Sequence, residues 1–149
     1  MTTAIGELAV RRVIVIAAPR ERVWEEFTSP ERMKRWFVCK RLVLEPREGG
    51  RFETEGDHGG IHYVFGGKVV TYQPARELTV EWGWLPPRWP EVTLLSFLLK
   101  SEDGGGTRVE IVHHGFERLR ERAREVYESF ERGWDLSELE ALKRAVEDS

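Results

Sequence analysis

Residues 117–146 read ERLRERAREVYESFERGWDLSELEALKRAV, with apolar side chains at Leu119, Ala123, Val126, Tyr127, Phe130, Trp134, Leu139, Leu142 and Val146. Steps of three and four place these on one stripe of a helix, and Glu and Arg fill the opposite face. This spacing predicts a long C-terminal helix. Residues 8–116, in contrast, read as strands with short helical interruptions. A one-faced helix that follows a sheet must bury its stripe against that sheet. The fold therefore turns on what lies between the two.

Working back from the helix, the strands come as a series joined by tight turns. Residues 8–18 are β-branched and predict a first strand. Pro19 stops it and suits a helix start. Arg20 to Thr28, with Val23, Trp24 and Phe27 on one side, predicts a short amphipathic helix. Ser29 can cap a second one over Glu31 to Trp36. Further strands are predicted at Val38 to Glu45, from Arg51 to Glu55, and at Ile61 to Tyr72. In the last of these, Gly66-Gly67 mark a bulge or a close backbone approach. Glu77 to Trp84 carries Leu78, Val80, Trp82 and Trp84 on one face, with Glu81 toward solvent on the other. Leu85 to Pro90 holds three prolines and cannot be sheet interior, so its Trp89 belongs to a lid, a rim or a contact surface. Glu91 to Lys100 and Thr107 to His114 complete an antiparallel meander around Gly104-Gly105-Gly106. The expected class is α+β: a curved antiparallel sheet wrapped around a long C-terminal helix, with two short helices after the first strand. The chain, residues 1–149, is expected to be a single domain.

Composition narrows the function classes. A net charge of -3 and 33% charged residues describe an ordinary globular chain, with no basic block for nucleic acid. No apolar run approaches ~18 residues and no signal pattern opens the chain, so no membrane span or secretion is expected and the location is cytoplasmic. The single cysteine, Cys39, excludes an internal disulfide and reads as a small core residue rather than a reactive thiol.

Several segments, in order, carry a family likeness. They are Ala18-Pro19-Arg20-Glu21-Arg22-Val23-Trp24, Pro30 to Phe37, Gly49-Gly50-Arg51-Phe52, Gly67-Lys68-Val69-Val70, Pro74 to Leu78, Gly106-Thr107-Arg108-Val109, His113-His114-Gly115-Phe116 and Gly133-Trp134. Over about residues 8–145 the chain resembles the START-like (birch-pollen-allergen-like, SRPBCC) superfamily. Within it, the chain is similar to the branch homologous to the C-terminal domain of the activator of the heat-shock-protein-90 ATPase. The resemblance implies a helix-grip fold enclosing an apolar cavity, but no single activity, because carriers, polyketide cyclases and co-chaperones share it. The family's N-terminal chaperone-binding domain is not part of this sequence, so chaperone contact is not the favoured expectation. Leu139 and Leu142 come one residue later than the family spacing. The last helix is therefore expected to be irregular near Asp135 to Ser137, or to restart with Ser137 as its cap.

The expected cavity residues are Trp36, Tyr63, Phe65, Trp82, Trp84, Phe97, His113, Tyr127, Phe130 and Trp134. Pockets are mostly apolar with a few placed polar groups, here His113, the tyrosines and the indoles. For His113 the competing reading is a core histidine bonded to its neighbours, and that reading is favoured. Glu53 and Glu55 could also point inward. No metal is expected: His113 and His114 leave opposite faces of a strand, and Gly59-Gly60 separate His58 from His62. No cofactor is expected either. No Gly-x-Ser-x-Gly elbow occurs, and the glycine run leads into a strand rather than a phosphate-binding helix. The expected function is binding of a small hydrophobic molecule between sheet and helix. The alternatives are a polyketide-cyclase-like enzyme with His113 as proton shuttle and a co-chaperone-like interaction module. An exposed sheet face or edge strand leaves a homodimer open.

Overall fold

A computed structural model describes residues 8–85 and 89–148, with the side chain of His58 excluded. Seven strands form one antiparallel sheet in the order β1-β7-β6-β5-β4-β3-β2. They are β1 (Val10–Ile16), β2 (Arg41–Leu44), β3 (Arg51–His58), β4 (Ile61–Gln73), β5 (Glu77–Leu85), β6 (Thr93–Ser101) and β7 (Thr107–His114). Between β1 and β2 lie α1 (Arg20–Trp24), a 3-10 turn (Glu25–Phe27) and α2 (Pro30–Lys34). Ser29 caps α2, its Oγ accepting the Arg32 N–H at 3.2 Å, and Pro30 fills the first helical position where no N–H is needed. Glu26 is fully buried between α1 and α2 and accepts from Arg22 and Arg32 at 2.9 Å each, so the two short helices are clasped by a shared carboxylate.

The β3–β4 turn is tighter than its glycine and polar content suggests. Gly56 to His58 continue β3, and only Gly59-Gly60, with φ of 59° and 79°, make the turn. At Gly66-Gly67 the structure has a close approach, and the register shift falls later, between Val69 and Thr71. A Cβ on Gly66 would fall onto the Phe52 carbonyl of β3, and one on Gly67 would meet Glu81. Glu81 does face away from the core, as its alternation with Trp82 requires. There its Oε1 accepts the Lys68 N–H at 2.9 Å.

The C-terminal stripe folds as helix, but not as one rod. Phe116–Arg122 is a 3-10 segment with Arg120 at φ 56°, followed by α3 (Ala123–Gly133) and α4 (Ser137–Glu147). The break spans Trp134 to Leu136. Asp135 Oδ1 accepts the Ser137 N–H at 2.8 Å, closing a local turn, so Ser137 begins α4 instead of capping it. This short interruption accounts for the late leucines: it turns Leu139, Leu142 and Val146 back onto the core, where all three are buried. Burying each contributes roughly 1.5–3 kcal/mol. The end of α3 is held from the sheet. Arg12 of β1 donates to the Trp134 carbonyl at 3.0 and 3.2 Å and to the Glu131 carbonyl at 2.9 Å, placing a cation on orphan carbonyls at a helix C-terminus. Lys143 and Glu147 of α4 reach the Val15 carbonyl at 3.0 Å and the Ala17 N–H at 2.7 Å. No helix among the described residues is long and apolar enough to cross a membrane.

Candidate functional site

Inward alternation on β4 and β5 puts Tyr63, Phe65, Trp82 and Trp84 on the concave face of the sheet, opposite α3. A cavity of ≈ 460 Å³ opens between them, within the range of small-molecule pockets. Phe65 and Trp82 stack with centroids 5.1 Å apart and planes 4° from parallel, and Tyr63 lies 5.1 Å from Trp84. Phe130 of α3 meets Phe65 edge-on at 6.1 Å, and Trp134 closes the same wall. Phe37, Val38 and Cys39, from the segment after α2, form the far side. The Cys39 thiol, raised by burial, donates to the Phe37 carbonyl at 3.4 Å.

Four of the side chains predicted for the cavity lie elsewhere. Trp36 and Phe97 are fully buried beneath it, in a solid cluster with Phe27 at 5.0 to 5.8 Å, and the Trp36 indole donates to the Glu26 carbonyl. Tyr127 packs on Phe116 at 5.6 Å on the other flank of α3. His113 is sealed in the core. Its Nδ1 accepts the Trp134 indole N–H at 3.0 Å, which fixes the proton on Nε2. Nε2–H then donates to Thr93 Oγ1 at 2.7 Å, and the Thr93 hydroxyl donates to the Trp82 carbonyl at 2.8 Å. Burial, reinforced by the neighbouring His114, holds the imidazole well below the ordinary histidine range. The arrangement is that of a neutral positioning group, tying two cavity tryptophans to β6. The core-histidine reading is the one the geometry favours.

The sequence assigns Trp89 to a lid, a rim or a contact surface. It is buried, 5.6 Å from Phe65 and 6.2 Å from Phe130, and so walls the cavity instead of facing outward as a contact surface. Pro86 to Arg88 of that loop lie outside the described residues. An apolar ring flanked by prolines was the available signal.

Polar groups gather at the mouth. Glu55 and Asp57 of β3 are among the lining residues, and their carboxylates, with that of Glu53, pair with Arg41, Lys40 and Arg51. His62 bridges Asp57 and Glu55 at 2.9 and 3.1 Å, and these two acceptors raise its pKa. On the helical side Arg122 and Glu125 pair with each other at 3.4 Å, while Glu138 stands in the first turn of α4. Sequence spacing could not find Glu138, because the break at Trp134 to Leu136 sets where α4 points. On the convex face His114 Nε2 meets Ser96 Oγ at 2.9 Å, and burial lowers its pKa to about 4. Among the described residues no group of three or more His, Cys, Asp or Glu is placed to hold a metal ion.

Comparison with known proteins agrees with this architecture. The solved structure of a Mesorhizobium loti protein superposes with a TM-score of 0.72 at 22% identity, covering 95% of this chain and 98% of that one. A protein of the dynemicin biosynthetic locus gives 0.69 at 22% identity, over 95% of this chain and 48% of its own. The Aha1 dimer from Colwellia psychrerythraea gives 0.64 at 19% identity, over 93% and 96%. No curated protein sequence matches the chain. The model of the "Activator of Hsp90 ATPase homolog 1-like protein" family matches residues 17–147. The chain belongs to that family, within the START-like helix-grip fold.

Proposed function

We propose that the protein, as a single domain, binds a small and mostly apolar molecule in the cavity between its sheet and its C-terminal helices. The observation that carries this is the unfilled space of ≈ 460 Å³ walled by ring faces from β4, β5 and α3. Directly beneath, Trp36, Phe27 and Phe97 pack into a solid cluster, whereas space remains between the rings of the sheet and those of α3. Burying a ligand's apolar area against these rings supplies roughly 25 cal/mol per Å² before the costs of association.

The enzymatic alternative has little support in this site. His113, the group a cyclase-like proton transfer would use, does not line the cavity, and both its ring nitrogens are engaged. The co-chaperone alternative loses its exposed aromatic, since Trp89 is turned inward. A homodimer is in keeping with the dimeric assembly of the Colwellia relative.

The neutral fluorophore N-phenyl-1-naphthylamine tests the binding reading. It should brighten at one saturable site per chain. Replacing Ser129, on the α3 wall, by Trp should fill the space and abolish that signal while circular dichroism stays unchanged. Undiminished binding to a folded Ser129→Trp variant would place the site elsewhere, and no binding to the parent protein would end the proposal.

A further inference from the structure

The charged residues that line the cavity do not balance. Arg122 and Glu125 neutralise each other at the mouth. Glu55 and Asp57 are committed to Arg41, Lys40 and His62. Glu138 is left as the one cavity-lining carboxylate with no cationic partner among the described residues, accepting from the Ser137 hydroxyl at 3.3 Å and from its own backbone N–H. It is half-buried, at the start of α4 and beside a wall of aromatic faces. Rings present negative potential from their faces, so a cation between them and a carboxylate is attracted from both sides. A ligand carboxylate in the same place would meet repulsion from both.

We infer that the cavity selects an amphipathic cation, with an aromatic or aliphatic body among Phe65, Trp82 and Phe130 and a protonated amine against Glu138. This presupposes that the cavity binds a ligand at all. Burial raises the Glu138 carboxyl above its ordinary range, and nearby Asp135 adds to the shift. The N-terminus of α4 therefore does not fully compensate its charge, and a bound ammonium would.

Three probes of one shape separate the possibilities: 1-naphthylmethylammonium, the neutral 1-naphthylmethanol and the anionic 1-naphthylacetate. Calorimetric titration at neutral pH should rank the ammonium about tenfold above the alcohol, with the acetate weakest. In Glu138→Gln the advantage of the ammonium over the alcohol should shrink to about twofold or less. An unchanged circular dichroism spectrum certifies that the variant is folded. Binding of the alcohol as tightly as the ammonium by the parent protein would refute the charge selection yet leave the cavity reading standing. So would a preference for the acetate, which would assign the polar end to Arg122 instead. An ammonium preference that survives Glu138→Gln would remove the role given to this carboxylate. Failure of all three probes would sink the cavity reading and the inference together.

Discussion

Thr93→Val is the substitution that most directly separates a positioning role for His113 from a chemical one. Valine matches threonine in shape, so packing at this fully buried site is retained and only the hydroxyl is lost. Two bonds go with it: the acceptor of the His113 Nε2–H at 2.7 Å and the donor to the Trp82 carbonyl at 2.8 Å. His113 is only 1% exposed, so no water reaches the freed N–H. Leaving a buried donor or acceptor unpaired costs about 1–3 kcal/mol, which puts the pair at about 2–6 kcal/mol. Urea unfolding followed by tryptophan fluorescence reads this as a lower midpoint with an unchanged slope. Thr93→Ser, which restores the hydroxyl and deletes one methyl, should recover most of the loss. The Trp134 indole should also become more mobile by nitrogen-15 relaxation, because the imidazole that accepts its N–H is no longer held. A loss below about 0.5 kcal/mol in Thr93→Val would show that the chain from indole to carbonyl contributes nothing to the fold. The assignment of His113 as a positioning residue would then lapse.

Two further outcomes follow from specific contacts. Gly66→Ala should cost about 1–3 kcal/mol or more, since its Cβ lands on the Phe52 backbone and must part β3 from β4. Gly56→Ala, whose Cβ meets nothing within 4 Å, is the control and should change stability by less than about 1 kcal/mol; equal effects at the two sites would contradict the close approach. The buried histidines set the acid limb. Both His113 and His114 take up protons more readily in the unfolded chain than in the native one. Stability is therefore full above the ordinary histidine range near 6.5 and is lost as pH falls through it, continuing toward about 4 for His114. Each contributes up to about 1.4 kcal/mol per pH unit. Unfolding midpoints measured from pH 7.5 to 5 should decline, and less steeply in His114→Asn; a level profile in the parent protein would count against the burial of both rings.

The sequence alone determined the layers of this molecule. Period-two alternation from Leu78 to Trp84 and the helical stripe from Leu119 to Val146 are local patterns, and each fixes which side of its element is buried. Ser29 before Pro30 and the doubled glycines at 59–60 likewise act within a few residues of themselves, which is why caps and turns could be read directly. Alternation also set Trp82 and Trp84 on one face of their strand, and the aromatic content of the neighbouring strand supplied Tyr63 and Phe65. What it could not do was separate a ring that lines a void from one that fills it. Trp36 and Phe97 look like Phe65 and Trp82 in sequence, yet one pair is sealed in the core and the other walls the cavity. That difference depends on distances between segments far apart in the chain, such as α2, β6 and α3. The same holds for His113, whose environment is made by Thr93 and Trp134, and for Glu138, which reaches the cavity only because the backbone turns at Trp134 to Leu136 and Arg12 fixes the end of α3. Local periodicity decides which face is apolar; where those faces stop short of touching is decided by the packing of the whole chain.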